Sequence, residues 1–118
     1  MSRMATVTCK AGVRLSGLTA GLCRILSVLE DLSRTATGLP PELVITSIND
    51  STHGPTSRHY RNEALDLRSK NFSGRGAKRL FRSLFEQSLG PKFRVLLEAE
   101  GTDNEHFHAQ IRKGGTYP

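Results

Sequence analysis

The sequence predicts an α+β fold, a small and mainly antiparallel sheet with two flanking helices, formed by one domain over residues 1–118. Three observations predict it. Two long segments carry apolar residues at steps of three and four, four short segments are β-branched or alternate apolar with polar, and no linker, repeat or low-complexity tract interrupts them. The order helix, strand, loop, strand, helix, strand, strand favours hairpin pairing over a doubly wound parallel sheet. A chain of 118 residues can bury one core and not two.

The first helix is expected over about 13–35, where Leu15, Leu18, Leu22, Ile25, Leu26, Leu29 and Leu32 share a face. Gly38, Pro40 and Pro41 stop it, because proline lacks the N–H and forces the preceding residue toward extended geometry. "ELVITSI" at 42–48 is a β-branched apolar strand, and "NDSTHGPTSR" at 49–58 is a turn-rich loop. In "ALDLRS", from Ala64, the two-residue period sends Ala64, Asp66 and Arg68 one way and Leu65 and Leu67 the other.

Ser73 is the expected cap of a second helix, "GRGAKRLFRSLFEQSL", with Ala77, Leu80, Phe81, Leu84 and Phe85 on its apolar face and Gly90 and Pro91 at its end. Arg75, Lys78, Arg79 and Arg82 on its other side read as a solvated face or as a contact for an anionic polymer. Strands at 92–100 and 106–112 follow, joined by the turn "GTDN".

Composition narrows the class. The chain is 36% hydrophobic with no tryptophan, and its longest apolar stretch, 18–29, is interrupted by Arg24 and too short for a bilayer. No charged region leads into an apolar block and a small-residue cleavage site, so synthesis in the cytoplasm and no membrane span are expected. Cys9 and Cys23, without a CxxC, are expected to be buried free thiols. A net charge of +6 favours a polyanionic partner. Nucleic acid is disfavoured, because no helix-turn-helix, RNP-like or C2H2 pattern is present.

The four histidines fall in two clusters, His53 with His59 and His106 with His108, and the strand period puts His106, His108 and Gln110 on one face. A catalytic zinc takes three nitrogen or oxygen ligands and keeps a fourth position for water. His59, Asp66 and one of the last two histidines can supply such a set, with Glu105 or Asp103 near enough in sequence to act as a base.

Ser57, His59, Ala64 and Asp66 match the SxHxxGxAxD signature, and Glu105 with His108 the downstream ExxH, of the zinc D-alanyl-D-alanine carboxypeptidase and dipeptidase family (VanY and VanX type). The chain resembles that family over roughly 44–112. "HFH" at 106–108 also resembles the HxH of the wider group of murein endopeptidases, lysostaphin-like endopeptidases and Hedgehog domains. The resemblance implies a Hedgehog/D-Ala-D-Ala-peptidase-like fold and a zinc peptidase acting on peptidoglycan peptides. It further implies His59, Asp66 and His108 as Zn2+ ligands, Glu105 as general base, and His106 as a group polarising the scissile carbonyl.

Ser57, His53 and Arg58 are the expected substrate-side residues. The competing register takes Asp103 as the acid and His106 as the ligand. "THGPTSRHY" is similar to the loop of small phage-encoded members; with the small size and no signal segment expected, this fits a phage or prophage enzyme that reaches the wall by another route, and a monomer is expected. Asn62 stands where the family has glycine, and no arginine occurs in "TSINDSTHG", where many members have one. A non-catalytic zinc domain of the same fold, binding wall polymer or a protein partner, is the alternative.

Overall fold

The structure, a computed structural model, describes residues 5–13, 19–48 and 64–112. It is an α+β arrangement of a five-stranded, mostly antiparallel sheet and two helices, in the order β1 (Thr6–Cys9), α1 (Ala20–Thr35), β2 (Glu42–Ile48), β3 (Ala64–Arg68), α2 (Arg75–Leu89), β4 (Phe93–Glu98) and β5 (His106–Ile111). The strands lie β1-β2-β3-β5-β4, and only β1 with β2 is a parallel pair. No helix among the described residues is long and apolar enough to cross a membrane.

β1 has no counterpart in the sequence expectation. "TVTC" is four residues with threonine at alternate places, and it becomes a strand by pairing with Glu42–Ile45 across the α1 crossover. α1 starts at Ala20 instead of near 13, because the Thr19 hydroxyl accepts the Leu22 N–H at 3.1 Å and caps the helix there. Leu22, Ile25, Val28, Leu29 and Leu32 are its buried stripe.

α2 is not capped by Ser73. Gly74, at φ 126, is the N-cap and makes no side-chain cap bond, a backbone conformation that favours glycine. Phe81, Phe85 and Leu89 are buried, but Leu80 is 68% exposed. At 3.6 residues per turn Leu80 lies about 100° from Phe81, on the flank of the stripe.

Both helices pack on one face of the sheet. Leu65, Leu67, Phe93, Val95, Phe107 and Ala109 point into that layer, where Phe107 meets Phe72 and Phe81 at ring centroids 5.1 and 5.3 Å apart. The outer edge of β4 is blunted at Val95, whose N–H is accepted by Glu86 and whose carbonyl accepts from Arg82 of α2. The opposite face carries no packed element among the described residues. Cys9 and Cys23 are exposed free thiols, not the buried ones expected. Cys9 ends the edge strand β1, and Cys23 lies off the buried stripe of α1.

Candidate functional site

The alternation of β3, β4 and β5 builds the uncovered face as a grid with His108 at its centre. Asp66 and Leu96 are the direct cross-strand partners of His108, while Gln110 and His106 are its neighbours along β5. Ala64 and Arg94 pair with Gln110, and Arg68 and Glu98 with His106. The expected facing of Asp66 with Arg68, and of His106 with His108 and Gln110, is what the burial pattern gives. Beyond Asp66 lies Ser47, just past a register shift in β2.

Asp66 and His108, 42 residues apart in the chain, meet with Oδ1 and Nδ1 2.7 Å apart, and His108 Nε2 lies 2.7 Å from Gln110 Oε1. Both ring nitrogens therefore face acceptors, an arrangement satisfied when both donate. The hydrogen bond to Asp66 pushes the His108 pKa up, and its effect, with help from Gln110, outweighs the opposing cost of burial.

His106 is held by the Asn104 carbonyl at Nδ1, 2.7 Å away, and by Glu98 Oε1 at Nε2, 2.9 Å away. Burial opposes its charging most strongly, yet the Asn104 carbonyl, Asp66 and Glu98 together raise its pKa. His106 Nε2 also stands 3.9 Å from Asp66 Oδ1, so the two imidazole–carboxylate pairs adjoin. Glu98 is a site residue that sequence reading missed. The expected strand ran to residue 100, whereas β4 ends at Glu98, directly opposite His106.

Glu105 is not brought to this site. It directly precedes His106 and points to the other face, where its side chain is 5% exposed and accepts from Ser69 Oγ at 2.6 Å, Lys78 Nζ at 2.5 Å and the Gly101 N–H at 2.9 Å. These bonds, that from Lys78 first, lower its pKa to about 2 against the opposing effect of burial. A base aimed at water beside His108 would have to leave that network and cross the plane of β5. The placement therefore corrects the expectation of Glu105 as base, and the reason is the strand period: an odd step of three puts Glu105 and His108 on opposite faces. Asp103 is exposed in the turn before β5.

The basic residues of α2 have acidic partners. Arg75 and Arg79 reach Glu100, Lys78 reaches Glu105, and Arg82 reaches Glu86. His53, Ser57, Arg58, His59 and Asn62 lie outside the described residues.

The donor chemistry of Asp66 and His108 suits zinc, which binds carboxylate oxygen and imidazole nitrogen. At bond lengths of about 2.0–2.2 Å, two ligands of one tetrahedral zinc stand roughly 3.4 Å apart, so the 2.7 Å contact is that of a shared proton. Zinc competes with that proton for the same lone pairs. Among the described residues no group of three or more His, Cys, Asp or Glu side chains could hold a metal ion. Asp66 and His108 are two donors of the kind zinc takes, and a zinc site built on them would need a third. Comparison with family models, curated proteins and solved structures finds no match for this chain.

Proposed function

We propose that this chain is a zinc-dependent peptidase of the D-alanyl-D-alanine peptidase-like fold, hydrolysing an amide bond in peptidoglycan peptides. The observation that carries the reading is the meeting of Asp66 and His108 at 2.7 Å on the uncovered face, with a second imidazole–carboxylate pair beside them. In this reading His59, Asp66 and His108 hold the cation. His59 is five residues upstream of Ala64, so the extended chain length keeps it within about 18 Å of the start of β3.

A bound Zn2+ supplies Lewis acidity and lowers the pKa of coordinated water to about 7. The protein's own groups then handle the proton. His106, oriented by Asn104 at Nδ1 and by Glu98 at Nε2, holds a proton at Nε2 next to the ligand pair. Glu98 is the 42% exposed carboxylate that accepts from it. As water oxygen bonds to the carbonyl carbon and the C–N bond breaks, Glu98, held by the His106 Nε2–H, takes the water's proton and delivers it to the departing amine. Glu105 serves the frame and not the chemistry.

The placement of Glu105 favours one second reading, a zinc domain that keeps the fold and binds wall polymer without cutting it. Incubation of the zinc-loaded protein with peptidoglycan, with and without a chelator, decides between them by mass spectrometry of released fragments. The peptidase reading expects chelator-sensitive release that Glu98→Gln and His106→Ala reduce. Zinc binding without any release leaves the binding domain.

A further inference from the structure

The two imidazoles of the uncovered face have partners of different kinds. His106 has a backbone carbonyl at Nδ1 and a carboxylate at Nε2, groups that only accept. His108 has the Asp66 carboxylate at Nδ1 and the Gln110 carboxamide at Nε2. A carboxamide can donate or accept, so its action here is set by what holds its other end. Gln110 Nε2 donates to the Ile111 carbonyl at 3.2 Å, which turns Gln110 Oε1 toward the ring, 2.7 Å from His108 Nε2. The two side chains meet because residues two apart on β5 share a face.

That orientation decides where the ring keeps its proton. A neutral imidazole carries one N–H, and an oxygen aimed at Nε2 is satisfied when the N–H is there. The Nδ1 lone pair then faces Asp66 Oδ1 across 2.7 Å. Two lone pairs at that separation repel unless a positive centre joins them, either a second proton or a metal cation. The reverse orientation would work against a cation. A donating Gln110 would occupy the Nε2 lone pair and put the single N–H at Nδ1 on Asp66, leaving neither nitrogen open.

We infer that Gln110 is a positioning residue of this site: its side-chain oxygen holds the His108 ring proton at Nε2 and so presents Nδ1 to a divalent cation beside Asp66. This deepens the peptidase reading and rests on its zinc, and it gives a role to a residue outside the SxHxxGxAxD and ExxH positions. Gln110 is not itself a ligand; it acts through the His108 ring.

The test reads which nitrogen takes the metal, so it does not depend on turnover. Full-length protein is loaded with zinc, or with cadmium, whose NMR-active isotopes couple to the nitrogen they bind. In the native sequence the coupling falls on His108 Nδ1, and Nε2 carries the proton. Gln110→Leu weakens zinc binding by about tenfold or more and divides cadmium between the two ring nitrogens. Gln110→Glu keeps an acceptor at this place and retains both the affinity and the Nδ1 coupling. Cadmium held at Nε2 in the native protein, zinc affinity unchanged by Gln110→Leu, or equal losses in the two variants overturn the inference. If the native protein binds neither metal, the inference falls together with the zinc reading. Nδ1 coupling that obeys these substitutions without hydrolysis of peptidoglycan removes the peptidase reading alone.

Discussion

Two charged clusters sit back to back on the same short sheet and differ in what surrounds them. On the helix-covered face Glu105 accepts three hydrogen bonds with its side chain 5% exposed; on the other, Asp66 and His108 share one at 29% and 23% exposure. The contacts are equally short, yet their energetics are not. A carboxylate withdrawn from water is costly to strip of its donors, whereas a half-exposed pair is screened by solvent and contributes less to stability. The covered cluster fixes the frame, and in the reading proposed above the open one trades its proton for a cation.

That contrast can be broken by substitution. His108→Ala lowers zinc affinity by more than 100-fold, about 3 kcal/mol or more at 1.36 kcal/mol per tenfold, and shifts the metal-free unfolding free energy by less than about 1 kcal/mol. Calorimetric titration and denaturant melts measure the two. A large loss of stability in the metal-free variant would show that the open pair is structural after all.

Glu105→Ala does the reverse. It leaves the half-buried Lys78 ammonium, and the Ser69 and Gly101 donors, without the carboxylate they bond and costs about 3 kcal/mol of stability, with zinc affinity changed far less than in His108→Ala. Glu105→Gln combined with Lys78→Met recovers most of the loss, since replacing both charges removes the stranded one. A catalytic carboxylate would behave differently: its loss would abolish hydrolysis at unchanged stability, and no change at Lys78 would restore it.

Glu98→Gln sharpens the open side. It lowers hydrolysis by 10- to 100-fold, about 1.4–2.7 kcal/mol at the transition state, while the melting temperature stays within the small range of a surface change.

The smallest effects are the pH dependences, which run in opposite senses. Glu105 has its pKa lowered from 4.5 to about 2, so its contribution is full above 4.5 and is lost as pH falls toward 2. His106 and His108 have pKa values raised from 6.5, so theirs is full below 6.5 and is lost as pH rises through the raised values. Melting temperatures of the metal-free protein across this range should therefore decline at both ends. Glu105→Gln weakens the acid decline, and His108→Gln weakens the one above 6.5.

Much of this geometry was legible in the residues. The alternation of "ALDLR" and "HFHAQI" placed Asp66, His106 and His108 on one kind of face before any pairing was known, and the hairpin around "GTDN" brought the last strands together. What was missed has physical causes. β1 is stabilised by a partner more than thirty residues away, a long-range pairing that a four-residue pattern does not announce. The ExxH spacing carried its own warning, since an odd step along a strand separates Glu105 from His108. Leu80 was counted into too wide an apolar stripe and falls on its flank, while the cysteines were assigned by residue type and lie at a sheet edge and off the buried stripe of α1.

The most direct test follows the histidine ring signals by NMR while metal-free protein is titrated with zinc. The account predicts one equivalent bound, with the His108 ring losing its proton to the metal and ceasing to titrate near neutral pH. That response vanishes in His108→Ala and His59→Ala and persists in Glu105→Gln. Zinc binding unaltered by His108→Ala, or no binding at all, would contradict it.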